Sequence, residues 1–563
     1  MIRISFIIFA LFSMLFTTDL GAAKPSGLNK PTPKPEVYAL KTPIEQAQEL
    51  LKELGFYNGV INGKRSTETI AAIIEYQKEH ALKETGKISR QLLDHLENIG
   101  RVKALIQRLD SVRKLRQDQA RTALLSDPRT RKLLEPKKRE IADPTRDSSF
   151  CFKSPTSICL LNEAVESSRA VFEDDLRDWA LGEILAAQVS AGLEKDAMET
   201  AARIKDSRLV IAALANIAKT QVKEGKLAEA LSGLSLIPVI ERRLSVLLDI
   251  AQAYQNKGET ENLTLTINKI LAVSESIKAL ETRLPLQIQA AEILSQSDKK
   301  RALKLLDNVS ETARSGTTNG SRVTLLRHAA SAMANIQYPE WALKALDELP
   351  DDETRIPVLM AATRAFLKMK RFDAALTTVS RISADRYRGV IFADVALALW
   401  QNGHRTRAHK ILNEAQTLIK GIRLPFAKNF ALAQIANVMI KMVSDNKETG
   451  LANRTFTIIS GISDERLKAR GLWDLAHASD LHGFSITKGD MNKAAKRAIN
   501  DIKSNFSRAW MLGDLANAHH ALGEKKTAQT AFEMGLKTAQ GLTNPWARSR
   551  ALAKFGAVMS TLD

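Results

Sequence analysis

The sequence predicts an all-α protein: a small three-helix domain followed by a long α-solenoid of paired helices. Three observations predict it. Aromatic residues make up only 5% of the 563 residues while Ala and Leu are abundant, which suits closely packed helices better than sheets. Residues 44–98 show helical apolar spacing between glycine-marked turns. From about residue 170 to the end, a pattern of small residue, glycine and small residue recurs at fixed spacing, the mark of stacked helical units.

The chain is too long for one compact core and should divide into several cooperative units. A hydrophobic content of 44% with 26% charged residues excludes global disorder. The net charge of +19 is spread thinly. Residues 101–150 hold fourteen Lys/Arg against seven Asp/Glu, whereas residues 24–100 are nearly neutral. Such an excess fits anionic wall polymers and lipid head groups, not a nucleic-acid partner.

Met1-Ile2-Arg3 is a short positive start, Ile4 to Phe16 an apolar run, and Gly21-Ala22-Ala23 a small-residue cleavage site. Residues 1–23 thus read as a secretory signal peptide. The thirteen-residue run is short of the roughly 20 residues that span a bilayer. No later stretch is apolar enough to span one. Residues 24–43, with Pro25, Pro31, Pro33, Pro35 and Pro43 among Lys, Ser and Thr, form a tether without a core. The mature protein is therefore expected outside the cytoplasm, periplasmic or otherwise.

The domain at 44–98 starts with an amphipathic helix from Ile44 to Leu54. A compact loop, Gly55 to Gly63, follows, then a helix from Thr69 to His80, a turn at Thr85-Gly86, and a third helix that Ser89 caps and that runs through Leu96. These residues resemble the three-helix peptidoglycan-binding domain found on many cell-wall hydrolases. The matching positions are Leu54-Gly55-Phe56, Gly59, Ile61, Asn62-Gly63, Thr69, Ala72-Ile73, Tyr76-Gln77, Leu82 and Thr85-Gly86. The family usually has Asp at Asn62, and an aromatic and a glycine at Arg65 and Ser66. Leu54, Ile61 and Ile73 read as core. The resemblance implies peptidoglycan as a partner and points to the loop, where Tyr57, Asn58, Asn62 and Arg65 offer stacking and hydrogen bonds. A domain that keeps the fold but has turned to protein contact is the alternative.

Residues 99–150 read as a basic helical linker. Cys151 and Cys159, the chain's two cysteines, are expected to form a disulfide in an oxidising compartment.

In the array, residues 151–563, the reference residues Ala218, Ala396 and Ala516 are followed seven positions on by Gly225, Gly403 and Gly523. Twelve positions on stand Ala230, Ala408 and Ala528. Ala251/Gly258 and Ala476/Gly483 keep the first interval; Ala290/Ala302, Ala330/Ala342 and Ala362/Ala374 keep the second. A small residue lets helices approach, Gly ends the first helix in a left-handed turn, and Ala lets the second pack back. The order resembles the tetratricopeptide repeat, in nine to eleven units over roughly 170–563, weakest near Ala436, where Glu448 takes the second Ala position. Asp206, Asp352, Asp385 and Asp464 are placed to cap helices, with Arg208, Arg355, Arg388 and Arg470 following. Those arginines either pair between repeats or line an anion groove.

No HExxH, Walker loop, GxGxxG after a strand or GxSxG occurs, and the nine histidines complete no metal set in the sequence. No enzyme, cofactor or metal is expected. The repeat phase puts Trp400, Arg470, Trp473, His477, Trp510, Asn517 and His520 on a groove for an unidentified peptide or protein partner, or packs the tryptophans between irregular repeats. The chain reads as an exported, non-catalytic scaffold; a pure interaction protein and a regulatory subunit of a separate wall enzyme are its rivals. Protein recovered from the exported fraction should begin at Lys24 on N-terminal sequencing; soluble protein that retains Met1 would overturn the compartment.

Overall fold

A computed structural model describes residues 41–135, 140–446, 448–487 and 489–562. The expected signal peptide and nearly all of the tether lie outside these residues. Every regular element among the described residues is helical. The chain divides into two compact units, one ending at Asp118 and one beginning at Gln119.

The first unit opens on the helix Pro43–Leu54. Thr42 caps it in a reciprocal pair with Glu45: each side chain accepts from the other's backbone N–H, at 3.3 and 2.8 Å. These hydrogen bonds hold the Glu45 carboxyl below its usual pKa. Gly55 ends the helix at φ +94°. Ser66 caps the helix Thr67–Glu79, and Ser89 accepts from Leu92 N at the start of the third. Leu51, Tyr57, Ala72, Ile73, Tyr76, Leu92 and Leu96 form the core, with Leu50, Leu54, Phe56, Leu82 and Ile88 packed around it.

The third helix does not stop near Leu96. It runs unbroken from Arg90 to Leu125, because residues 97–125 contain no proline and consist mostly of good helix formers. Beyond it the expected linker is partly folded into the array, whose core includes Ala120, Leu124 and Leu133. The disulfide Cys151–Cys159 ties the short helix Ser149–Lys153 to the helix Ser157–Arg169.

In the second unit ten antiparallel helix pairs follow one another, from Asp174–Ser190 with Glu194–Ala201 to Asn505–Ala521 with Lys525–Gln540. The repeat residues behave as their spacing predicts. Ala218, Ala396, Ala516, Ala230, Ala408 and Ala528 are all buried, and Gly225, Gly403 and Gly523 lie at φ +79°, +84° and +78°. Where Ala330 leads, Gln337 adopts the same left-handed turn at φ +71°. One unit is shifted by a residue: the turn is at Lys370 and the second buried Ala is Ala375, so its reference is the buried Thr363, not Ala362. Thr363 fits because its hydroxyl donates to Leu359 O within the helix. Near Glu448, that residue is the N-cap of the helix Thr449–Ser460, and Ala452 is the buried small residue.

Capping is as expected at Asp206 and Asp464, which accept from Arg208 N and Arg466 N. It is off by one at Asp352 and Asp385, which stand inside their helices behind Asp351 and Ala384. The arginines serve structure: Arg208 pairs with Asp206, Arg388 with Asp385, Arg470 with Asp474, and Arg355 donates to Leu349 O. Pairs such as Lys226–Glu194 and Lys219–Asp249 join consecutive repeats.

Each first helix packs on its own second helix and on the first helix of the next pair, whereas second helices pack little on one another. This makes the first helices the inner layer. The layer is closed. The last helix, Pro545–Leu562, packs against the first helix of the first pair, Asp174–Ser190, and takes Ser157–Arg169 as its own second helix. The eleventh pair is thus assembled from the two ends of the array. Ser157 Oγ donates to Gly556 O at 2.7 Å, and a Cβ on Gly556 would lie 2.6 Å from Leu161, so only glycine permits this approach. Arg550 grips Glu183 through two hydrogen bonds of 2.7 and 2.8 Å. Its guanidinium also lies 4.4–5.1 Å from the ring centroids of Trp179, Phe506, Trp510 and Trp546. Such a desolvated, bidentate, aromatic-walled pair depends on both partners. Arg550→Ala should lower the stability of the array by about 3 kcal/mol and raise its radius of gyration by X-ray scattering; an unchanged radius and denaturation midpoint would show that the seam is held elsewhere.

Candidate functional site

Two buried glutamines shape the loops of the small domain. Gln48, on the helix Pro43–Leu54, accepts from Asn62 N and Gly63 N at 3.0 Å each. It donates to Lys64 O and Thr69 Oγ1, also at 3.0 Å. Gln77, on the helix Thr67–Glu79, repeats the device: it accepts from Thr85 N and Gly86 N and donates to Thr85 Oγ1. A side-chain amide offers both donors and acceptors, so one residue can satisfy a whole turn. Arg65 then links the loops by donating to Gly86 O at 3.2 Å.

Against this frame the expected loop residues separate. Tyr57 is 3% exposed and belongs to the core, its hydroxyl donating to Val60 O, so it offers no stacking surface. Its ring fills the space that Gly59 leaves beside it. Asn62 keeps an exposed edge, but its carbonyl oxygen accepts from Lys64 N at 2.9 Å, shaping the turn from within. Asn58 and Arg65 are exposed. Ile61, read as core, is instead exposed beside Val60. The loop crest therefore presents Asn58, Val60, Ile61 and Arg65. Beneath it Phe56, Tyr76, His80 and His95 stack edge and face. Burial pushes the Tyr76 hydroxyl up to about 12, and it lies 2.6 Å from His95 Nδ1.

In the array the expected groove residues fall into three places. Trp400 is 4% exposed, packed under Arg405 and against His409, and lines no groove. Trp510 belongs to the seam, with Lys554 4.4 Å above its ring. Trp473 and His477 meet two residues absent from the expected set, His519 and Glu524, while His520 and the exposed Asn517 point elsewhere in the same helix. The histidine that this helix brings to the cluster is thus His519, one position before His520. Arg470 lies one turn away, bonded to Asp474.

Atoms of His477, His519 and Glu524 able to bind a metal come within 4.8 Å of one another, an assembly that the sequence reading missed because it joins separate hairpins. Their hydrogen bonding decides what the trio is. The Trp473 indole, a donor only, gives its proton to His519 Nε2 at 2.9 Å. The proton of His519 is therefore on Nδ1, aimed at Glu524 Oε2 at 2.6 Å. A metal at Nδ1 would require the proton on Nε2, facing the indole N–H, so the donor set does not fit. The trio is a carboxylate–imidazole network that ties the helix Glu465–His482 to the last regular pair.

A cleft of about 650 Å³ lies elsewhere, along the first helices Asn319–Asn335, Asp352–Lys368 and Asp385–Gln401. Arg327, Arg364 and Arg386 line it with Asp351, Glu353 and Tyr387. The sequence reading passed over it because these residues come from three repeats.

Residues 41–96 match the family described as "Putative peptidoglycan binding domain". Residues 41–96 thus form a domain of this family. No curated protein matches the chain. Among solved structures, Ton1535 from Thermococcus onnurineus NA1 aligns at 14% identity over 58% of this chain and 96% of its own, with a TM-score of 0.28. A circular tandem repeat protein with a novel repeat topology aligns at 11% identity over 92% of this chain and 95% of its own, with a TM-score of 0.14. At these TM-scores neither likeness bears on fold or function.

Gln48→Ala strips two backbone N–H groups of their acceptor and should cost roughly 2–4 kcal/mol; urea titration of the small domain's near-UV signal checks it. In the array, burial pushes the Glu524 carboxyl up, but hydrogen bonds from His519 and His477 outweigh this and leave its pKa lowered. A carboxyl with a lowered folded pKa contributes stability above its unfolded pKa and loses it as pH falls through the folded value. Between pH 5 and pH 3 the wild-type melting temperature should therefore fall further than that of Glu524→Gln; parallel curves would remove the network's contribution.

Proposed function

We propose that this chain is an exported, non-catalytic scaffold that attaches to peptidoglycan through residues 41–96 and holds a peptide or protein partner on its ring of tetratricopeptide-like pairs. The observation that carries the first half is the family match over a domain whose two loops are built from the matching residues Asn62-Gly63, Gln77 and Thr85-Gly86. An extracytoplasmic setting agrees with that domain and with the disulfide. No described helix is long and apolar enough to cross a membrane.

The partner half rests on the cleft spanning three repeats, lined by both guanidinium and carboxylate groups together with Tyr387. Side chains of both signs on a concave, repeat-built surface suit a peptide or protein with mixed charge. A ring without the wall domain's activity, and a subunit that positions a separate wall enzyme, are the alternatives.

Sedimentation with purified peptidoglycan tests the wall reading. At high salt the wild type should pellet with the polymer. The double variant Val60→Ser with Ile61→Ser, and Arg65→Ala, should each pellet several-fold less while keeping full helical ellipticity. Equal pelleting of all three, released by salt alone, would reduce wall attachment to nonspecific charge.

A further inference from the structure

The cleft along Asn319–Asn335, Asp352–Lys368 and Asp385–Gln401 holds more hydrogen-bond donors than its own walls use. Its charged residues are Arg327, Arg364 and Arg386 with Asp351 and Glu353. Arg364 is taken by Asp394, 3.0 Å away, and Asp351 by the Thr354 N–H that it caps. Arg327 has neither a hydrogen bond nor an ion pair among the described residues. Arg386 lies 4.8 Å above the Tyr387 ring and reaches Glu353 only at 3.5 Å, while its Nε is buried without an acceptor. A buried guanidinium N–H calls for a partner, and a carboxylate is the strongest that a ligand can bring. The apolar part of the wall is shallow: Pro357 is exposed, and Met360 and Ala361 are half-buried.

We propose that the peptide this cleft takes is the stem peptide of peptidoglycan, the polymer whose binding family residues 41–96 match. The proposal rests on the reading of the cleft as the ring's binding site. In a stem peptide the glutamate is linked through its γ-carboxyl, so its α-carboxylate stands free beside the carboxylates of the diamino acid and the terminal alanine. The diamino acid adds one ammonium, and the remaining side chains are methyl groups. Carboxylates answer Arg327 and the unpaired Nε of Arg386, and the ammonium answers Glu353, whose side chain is 84% exposed. The methyl groups need nothing deeper than Pro357, Met360 and Ala361. A protein partner anchored by large apolar side chains would need closed, desolvated pockets instead. The volume of about 650 Å³ falls in the class that holds small ligands, roughly 300–1,000 Å³.

Calorimetric titration of the full-length chain with the tetrapeptide L-alanyl-γ-D-glutamyl-meso-diaminopimelyl-D-alanine tests it. Binding should saturate, and Arg327→Gln and Arg386→Gln should each weaken it about ten-fold with unchanged helical ellipticity. Amidating the glutamyl α-carboxylate should weaken binding to the wild type by a similar factor and to the double variant hardly at all. This ligand-side change reads the same contact without altering the protein. Full wild-type affinity in the double variant would put the peptide outside the cleft, on the small domain included, and overturn the proposal. An all-L, α-linked peptide of the same composition that binds as tightly, with the same dependence on Arg327 and Arg386, would overturn the stem assignment and leave the cleft a peptide site. No binding of either peptide would end the reading of the cleft as well.

Discussion

The closure of the array on itself is the constraint on which the larger unit depends. In an open stack of helix pairs, the first and last repeats each expose an apolar face that a neighbour would have covered, and a capping helix has to hide it. Here the final helix, Pro545–Leu562, finds its missing second helix in Ser157–Arg169, and both exposed faces vanish at one seam. The seam combines a dry contact that only Gly556 permits with a charged one, Arg550 on Glu183, walled by aromatic rings. The two kinds of contact divide the labour. Apolar packing supplies area, and the directed pair selects one angular setting of the last helix.

What could be read in the sequence was local. Ala396, Gly403 and Ala408 lie within one hairpin, so their spacing reports the helix–turn–helix geometry directly, and burial and left-handed φ agree. Errors entered where a local pattern had to be projected outward. A one-residue shift at Thr363 went unseen because Ala362 beside it is small as well. The same slip separates His520 from His519, and along a helix one position is about 100°, enough to turn a side chain from the surface into a contact. Ring closure could not be read at all: Ser157 and Gly556 are 399 residues apart, and nothing in either segment records the other.

In the small domain the fold was legible and the surface was not. Asn62-Gly63 and Thr85-Gly86 are visible as turns, but the residues that hold them, Gln48 and Gln77, look in sequence like polar residues on a helix. Only their burial, with each carbonyl oxygen accepting from two backbone N–H groups of one turn, reveals them as organising centres. Tyr57 reads as a stacking residue because the family resemblance points to its loop; the glycine two positions on lets its ring fold inward instead. The exposed pair Val60 and Ile61 went unnoticed for the converse reason, since apolar residues in a family pattern read as core.

A stack that ends in a cap tolerates gain or loss of a repeat, because every internal interface resembles every other. A circle does not. With the opening helix serving as the second half of the closing pair, one extra hairpin would widen the circumference and strain every interface, and one fewer would leave the ends unable to meet. Repeat number is therefore fixed as a whole, and diversification has to proceed by exchanging side chains within a constant count. Synthesis is ordered by the same fact: Ser157–Arg169 is made well before its partner Pro545–Leu562, so an apolar helix must wait through the ten intervening pairs before the ring can close.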